Sequence, residues 1–172
     1  MMMLYTPPVP LARHHVSADF ECGDAALDQW IDRYAWQNSK KNMCRVHVSL
    51  QTGTDLIRGY YATSASQINP ANVDPAFVRG LPRHPVPAIL LARLAVHKDC
   101  QGQGLGEALI KDAFKRAMIA ADHIGARVIL VHALDAKAKS FYEQYGFTTL
   151  PEISGDGLTL YLNISTIAAL VG

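Results

Sequence analysis

The 172 residues, 49% of them hydrophobic, are enough to bury one core, so a single domain is expected; a formal net charge of +1 excludes nucleic-acid binding through bulk positive charge but leaves a local basic groove open. Cys22, Cys44 and Cys100 are an odd, scattered set without a C-x-x-C spacing, which suits free structural thiols in a reducing cytosol better than a disulfide framework or a zinc centre. Met1 to Pro10 holds neither a basic leader nor a long apolar core, and no later stretch reaches the ~18 apolar residues of a membrane span, so a cytoplasmic protein with no membrane partner is expected.

Val9 to Leu11 predicts a short first strand, and Arg13-His14-His15 a turn toward the first helix. From Asp24 onward, Leu27, Trp30, Ile31, Tyr34 and Ala35 recur at i, i+3, i+4, i+7 and i+8, a spacing that buries one face of a helix. Asp24 and Asp28 at its start and Lys40 and Lys41 at its end follow the charge order that the helix dipole favours. Arg45 to Leu50 alternates as a half-buried strand, Gly53 lies in a turn, and Leu56 to Ala65 forms the second arm of an antiparallel pair. Ser66 to Pro87, rich in Pro and Asn, predicts either a short helix around Pro75 to Val78 or a functional loop. The apolar run Ala88 to Val96 then reads as a central strand buried on both faces.

Gln101-Gly102-Gln103-Gly104-Leu105-Gly106 follows that strand and opens a helix. Glycines at alternate positions let the backbone approach a bulky anion, and the helix start adds the positive end of its dipole, so this turn is suited to holding a phosphate. No Lys-Ser/Thr follows, as a P-loop needs, and no acidic residue about twenty positions on closes a strand, as a dinucleotide fingerprint needs. In the helix, Ile110, Ala113, Phe114, Ala117, Met118 and Ala121 mark the buried face, and Glu107 pairs with Lys111. Gly125 ends it, and Arg127 to Val131 completes a β-α-β crossover with parallel strands. Asp135 is the expected N-cap of a short helix carrying Ala138, Phe141, Tyr142 and Tyr145 inward, with Gly146 at C′. Phe147 to Leu150 and Leu158 to Leu162 are expected as closing strands around Gly155-Asp156-Gly157, with a terminal helical turn over Ile164 to Val171.

The blocks Gln101-x-x-Gly104-x-Gly106 and Ala138-x-x-Phe141-Tyr142-x-x-x-Gly146-Phe147 resemble, in the same order, two signature motifs of the GNAT (Gcn5-related N-acetyltransferase) family. The resemblance implies an α/β fold with a central, mostly antiparallel mixed sheet and a β-α-β core that binds acetyl-CoA. It implies a pyrophosphate cradle at Gln101, Gly102, Gln103, Gly104, Leu105 and Gly106, and pantetheine in a splay between the fourth and fifth strands. It also implies that backbone N–H groups around Leu94, Ala95 and Val96 polarise the acetyl carbonyl. Asp135, where many members have Asn, and Ser140 are further cofactor contacts expected from it. A narrower resemblance, carried by Asp19-Phe20-Glu21-Cys22-Gly23, Leu27-Asp28-Gln29-Trp30, Gly59-Tyr60-Tyr61-Ala62, Leu81-Pro82-Arg83 and Pro87 to Val96, is to the GNAT toxins of type II toxin–antitoxin modules. It implies acetylation of the α-amine of aminoacyl-tRNA, arrest of translation, and neutralisation by a ribbon-helix-helix antitoxin.

Acetyl transfer from a thioester to an amine needs a neutral amine, a polarised carbonyl and an acid for the departing thiolate. Tyr142 is the candidate acid. An α-amine has a pKa of about 8, lowered by esterification, so roughly a tenth or more is neutral at pH 7 and direct attack without a covalent enzyme intermediate is expected. Lys40, Lys41, Arg45, Arg79, Arg83 and Arg93 are candidate tRNA contacts, the alternative being ordinary solvated cations. Arg93 is the sharpest of these, because a charge in an apolar strand is costly unless paired or facing a cleft. His97 and His132 read as structural histidines, and the seven histidines do not assemble a metal site. A homodimer is expected if Gly59 to Ala65 exposes an apolar surface. The competing functional readings are a GNAT acting on small amines or protein N-termini and a non-catalytic CoA-binding module.

Overall fold

The computed structural model describes residues 3–171. The strands β1 (Val9–Pro10), β2 (Arg45–Leu50), β3 (Ile57–Ile68), β4 (Val86–Val96), β5 (Val128–His132), β6 (Thr148–Thr149) and β7 (Thr159–Asn163) form one sheet in the order β1-β2-β3-β4-β5-β7-β6. Pairing is antiparallel at β1–β2, β2–β3, β5–β7 and β6–β7 and parallel at β4–β5, the mixed, mostly antiparallel α/β sheet that the sequence implies. The helices are α1 (Ala25–Arg33), α2 (Ala35–Lys40), α3 (Leu105–Ile124), α4 (Ala136–Glu143) and α5 (Ile164–Val171). Two compact units divide the chain, Met1–Ser64 with Ala92–Ala113 and Ala65–Leu91 with Phe114–Gly172; β3, β4 and α3 run through both.

In the first unit, Asp24 caps α1 by accepting hydrogen bonds from the N–H groups of Ala26 and Leu27 at 2.9 and 3.1 Å. Trp30, Ile31 and Ala35 are buried as their spacing requires, but the single helix expected here is two. Tyr34 adopts φ −119°, ψ −27° between α1 and α2. That departure rotates the following turn, so Ala35 stays in the core while Tyr34, expected inside, is 49% exposed.

Strand β2 also departs from expectation, since Val46 to Leu50 are all buried instead of alternating. Val46, Val48 and Leu50 pack with Trp30 and Ile31 of α1. On the other face, His47 stacks on Tyr61 at 5.1 Å, and the Tyr61 hydroxyl donates to Asp112 of α3 at 2.6 Å. With helices on both faces, the polar-out half of the pattern has no solvent to face. Helix α3 packs tightly on Gly59 in β3: a Cβ there would lie 2.9 Å from Leu109 Cδ1 and 3.2 Å from Leu105 Cδ2. Leu109 is fully buried and cannot swing aside freely. A Gly59→Ala substitution is therefore expected to cost about 1–2 kcal/mol by overpacking, read as a lowered denaturant midpoint at unchanged m-value.

In the second unit, β3 continues to Ile68, and Asn69 caps a single 3-10 turn at Pro70–Asn72. Of the two alternatives for this segment, the short helix around Pro75 to Val78 does not form. Asp74 instead starts a series of turns through Gly80, bonding Ala76 N–H through its side chain and Phe77 N–H through its carbonyl, both at 2.9 Å. Phe77 anchors this loop edge-on against Tyr161 of β7 at 4.8 Å. The parallel register runs from Ala88–Val128 to Leu91–Val131, and β4 continues past the last pair to Val96. The closing strands are shorter than expected at β6, two residues, while the terminal helix is a full element.

Candidate active site

The glycine turn lies wholly in the first unit. Gly102 and Gly104 hold φ of +76° and +85°, and a Cβ built at either would meet nothing within 4 Å. The glycines thus satisfy a backbone requirement, and the space above them is open, as a cradle for a phosphate must be. Helix α3 begins at Leu105, and the first N–H groups of any helix lack partners within it. Leu105 is buried and Gly106 half-buried, so this helix start is seated on the core through Leu105. The turn fits a pyrophosphate.

The side chains of the two glutamines are engaged by the protein itself. Gln101 donates from Nε2 to the carbonyls of Val96 and Cys22, both at 3.0 Å, tying the turn to the end of β4. Gln103 donates to the Asp99 carbonyl at 3.3 Å and accepts from the Tyr5 hydroxyl at 2.5 Å. What the turn offers a ligand is backbone N–H. Leu94, Ala95 and Val96 form the last residues of β4, with Ala95 buried and its neighbours half-buried.

His97, expected to be structural, is 5% exposed and caps the 3-10 turn Lys98–Cys100, accepting from Asp99 N–H at 3.1 Å. His132 is exposed beside Thr159 Oγ1 at 3.1 Å. Cys22, Cys44 and Cys100 are free thiols. Desolvation pushes Cys22 up to about 12 and raises Cys44 above its ordinary value. Among the described residues, no group of three or more His, Cys, Asp or Glu side chains is placed to hold a metal ion.

Arg93 resolves the cost of a cation in an apolar strand through an aromatic partner. Its guanidinium carbon lies 4.5 Å from the ring centroid of Trp30, which stacks on Tyr60 at 5.9 Å and an interplanar angle of 18°. The Tyr60 hydroxyl donates to the Leu27 carbonyl at 2.8 Å, fixing the base of the stack. A cation–π contact of this kind contributes about 0.5–2 kcal/mol. The sequence pattern assigns Trp30 only to a helix face; the signal that it had a second role was the lone cation opposite. Lys40 and Lys41 are exposed at the end of α2, and Arg45 donates to the Ser39 and Cys44 carbonyls and to Asn42 Oδ1, closing that helix end.

The remaining candidates belong to the second unit. Asp135 caps α4, accepting from Ala138 N–H at 2.8 Å, and Ser140 is exposed on the same helix. Tyr142 is the buried residue of α4, 7% exposed, whereas Phe141, Ala138 and Tyr145, expected inside with it, are half-buried. The helix is only eight residues long and its C-cap is Gln144, so C′ is Tyr145 and Gly146, expected there, falls one place later at φ +99°. Tyr142 packs edge-on against Phe147 at 5.6 Å and Phe141 at 5.3 Å, with Phe147 tilted against Phe114 at 5.9 Å. Desolvation raises the Tyr142 phenol well above its ordinary value, so it is fully protonated at neutral pH. Arg79 and Arg83 are exposed in the loop; Arg83 lines a cavity of about 530 Å3 with Gln67, Asn69 and His84.

Residues 65–149 match the acetyltransferase (GNAT) domain family. The chain is 36% identical to a tRNA-acetylating toxin of Mycobacterium tuberculosis over 98% of both sequences. Its fold matches AtaT complexed with acetyl-methionyl-tRNAfMet, with a TM-score of 0.86 at 23% identity, covering 98% of this chain and 99% of that one. It also matches a tyrosine-to-phenylalanine mutant of AtaT bound to the C-terminus of the antitoxin AtaR and acetyl-CoA, with a TM-score of 0.81 at 23% identity and 98% coverage of each chain.

Proposed function

The chain belongs to the GNAT acetyltransferase family, and from that premise we propose that it is the toxin of a type II toxin–antitoxin module, transferring acetyl from acetyl-CoA to the α-amine of aminoacyl-tRNA and so blocking translation. The observation that carries this reading is the 36% identity to a tRNA-acetylating toxin along 98% of both chains. The motif-bearing turn and Tyr142 supply the matching chemistry.

Acetyl-CoA brings the acetyl group as a thioester, already activated toward an amine. The backbone N–H groups after Gly102 and Gly104 and at the start of α3 hold the pyrophosphate, and those near Leu94 to Val96 polarise the acetyl carbonyl. Tyr142 gives its phenolic proton to the thiolate as the C–S bond breaks and the C–N bond forms. A phenol raised by burial is a weaker acid than a thiol, so it cannot remain ionised. It recovers the proton that the attacking amine releases, and the net products are an amide and a free thiol. Asp135 holds the start of α4 by its cap, and Ser140 is a cofactor contact on the exposed side of that helix.

Lys40, Lys41, Arg45, Arg79, Arg83 and Arg93 are proposed to meet tRNA phosphates. The neutralising partner is a ribbon-helix-helix antitoxin, and the active species a homodimer acting in the cytoplasm. Gly59 to Ala62 are buried, so of the segment Gly59 to Ala65, whose exposure would favour a dimer, only Thr63 to Ala65 reach the surface. Among the described residues no helix is long and apolar enough to cross a membrane.

Mass spectrometry of bulk charged tRNA after incubation with the protein and acetyl-CoA tests the reaction directly. N-acetyl-aminoacyl-adenosine is the expected product; acetylation of polyamines or peptides with none on tRNA would reverse the assignment. Salt separates the same readings. If six phosphate contacts form, raising salt from about 50 to 200 mM should weaken tRNA binding by on the order of a thousandfold, whereas a small amine would be nearly indifferent.

A further inference from the structure

The glycine turn is tied to a residue ninety-eight positions away in sequence. The Tyr5 hydroxyl donates to Gln103 Oε1 at 2.5 Å, and Gln103 Nε2 donates to the Asp99 carbonyl at 3.3 Å. The side chain of the one residue between Gly102 and Gly104 is therefore gripped at both ends of its amide. Tyr5 is itself fixed by the sheet. It bridges Gln51, its neighbour Thr6 donates its N–H to the Leu50 carbonyl at 2.8 Å, and Thr6 Oγ1 accepts from Leu50 N–H at 3.0 Å. On the other side Thr52 N–H donates to the Leu4 carbonyl at 3.0 Å.

We propose that Tyr5 is a positioning residue for the coenzyme A site, locking the Gln103 peptide so that its N–H stays directed at the pyrophosphate. Glycines on both sides of Gln103 remove the steric terms that would otherwise fix this peptide, because left-handed and right-handed backbone are nearly equal in cost for glycine. A side-chain clamp replaces them. The turn has a second side-chain tie in Gln101, bonded to the Val96 and Cys22 carbonyls. Contact of Tyr5 with the Cys100 thiol raises the phenol above its ordinary value, so the hydroxyl keeps the proton it donates.

The inference rests on the turn being the coenzyme A cradle, and the test separates the two. Calorimetric titration of coenzyme A into the full wild-type chain, Tyr5→Phe, Gln103→Ala and the double variant reads binding without the acetyl acceptor. Loss of one neutral hydrogen bond of ~1 kcal/mol corresponds to about a fivefold rise in Kd, at ~1.4 kcal/mol per tenfold. Tyr5→Phe should show it, Gln103→Ala at least as much because it also loses the bond to the Asp99 carbonyl, and the double variant no more than Gln103→Ala alone. Unfolding midpoints should stay together. Unchanged Kd in Tyr5→Phe, or additive losses in the double variant, would overturn the role of Tyr5. So would a loss that merely follows a lowered midpoint. A wild-type protein that binds no coenzyme A would instead overturn the reading of the turn itself.

Discussion

Tyr142→Phe is expected to lose about 10²–10⁴-fold in kcat while binding coenzyme A as the wild type does, the range that removal of a general acid produces. The substitution deletes one oxygen and leaves the ring, so the edge-on contacts with Phe147 and Phe141 persist and the fold is not the variable. Burial fixes the protonation state, although it also makes the phenol a weaker proton donor. A phenol held above its ordinary value presents a proton at any pH the cell reaches, and no limb of the rate profile between pH 7 and 9 should belong to it. Single-turnover acetylation of charged tRNA, followed by mass spectrometry and paired with calorimetric coenzyme A binding, separates the effects. Full turnover in the variant would remove Tyr142 from the chemistry.

Gly104→Val is the second large effect, and it falls on binding. At φ +85° a β-branched side chain is a steric outlier, and holding it there costs about 1–3 kcal/mol. No neighbouring atom lies within 4 Å of the new Cβ, so the cost comes from the residue's own backbone and not from a clash with the core. The turn can escape only by rotating, which points its N–H groups away from the phosphate. Coenzyme A affinity should fall by up to the ~5–140-fold that such an energy converts to at ~1.4 kcal/mol per tenfold. Wild-type affinity in this variant, measured by calorimetry, would show that the N–H groups of this turn are not the ligand's partners. Gly104→Ala, which carries a smaller side chain into the same dihedral, should lie between the two.

The contrast between these residues and Tyr5 shows which parts of the site were legible in the sequence. The turn, the β-α-β unit and the capped helix of Tyr142 are local, and their signals sit within a few residues of one another: alternate glycines, an apolar run, Asp135 three residues before the Ala138 N–H it binds. Elements of this kind were found almost where expected. What the pattern missed depends on distant partners. The break at Tyr34 interrupts a run whose spacing fits one helix, and β2 lost its alternation because α1 and α3 cover its two faces. The loop after β3 was readable as irregular, but its turns follow from Asp74 and Gly80, not from the helical period of its apolar residues. Arg93 was flagged by cost alone, and its partner Trp30 lies sixty-three positions earlier, beyond any local pattern. Tyr5 carried no signal at all.

The three thiols have a bearing on the chemistry that their placement does not announce. A thioester passes its acyl group readily to any thiolate, and the thiolate is the reactive form. Cys22 is held at about 12 and Cys44 is raised by desolvation, while Cys100 is buried. At neutral pH Cys22 and Cys44 therefore carry little thiolate to compete for the acetyl donor. A colorimetric thiol assay at neutral pH should register the released carrier with little background from these two thiols.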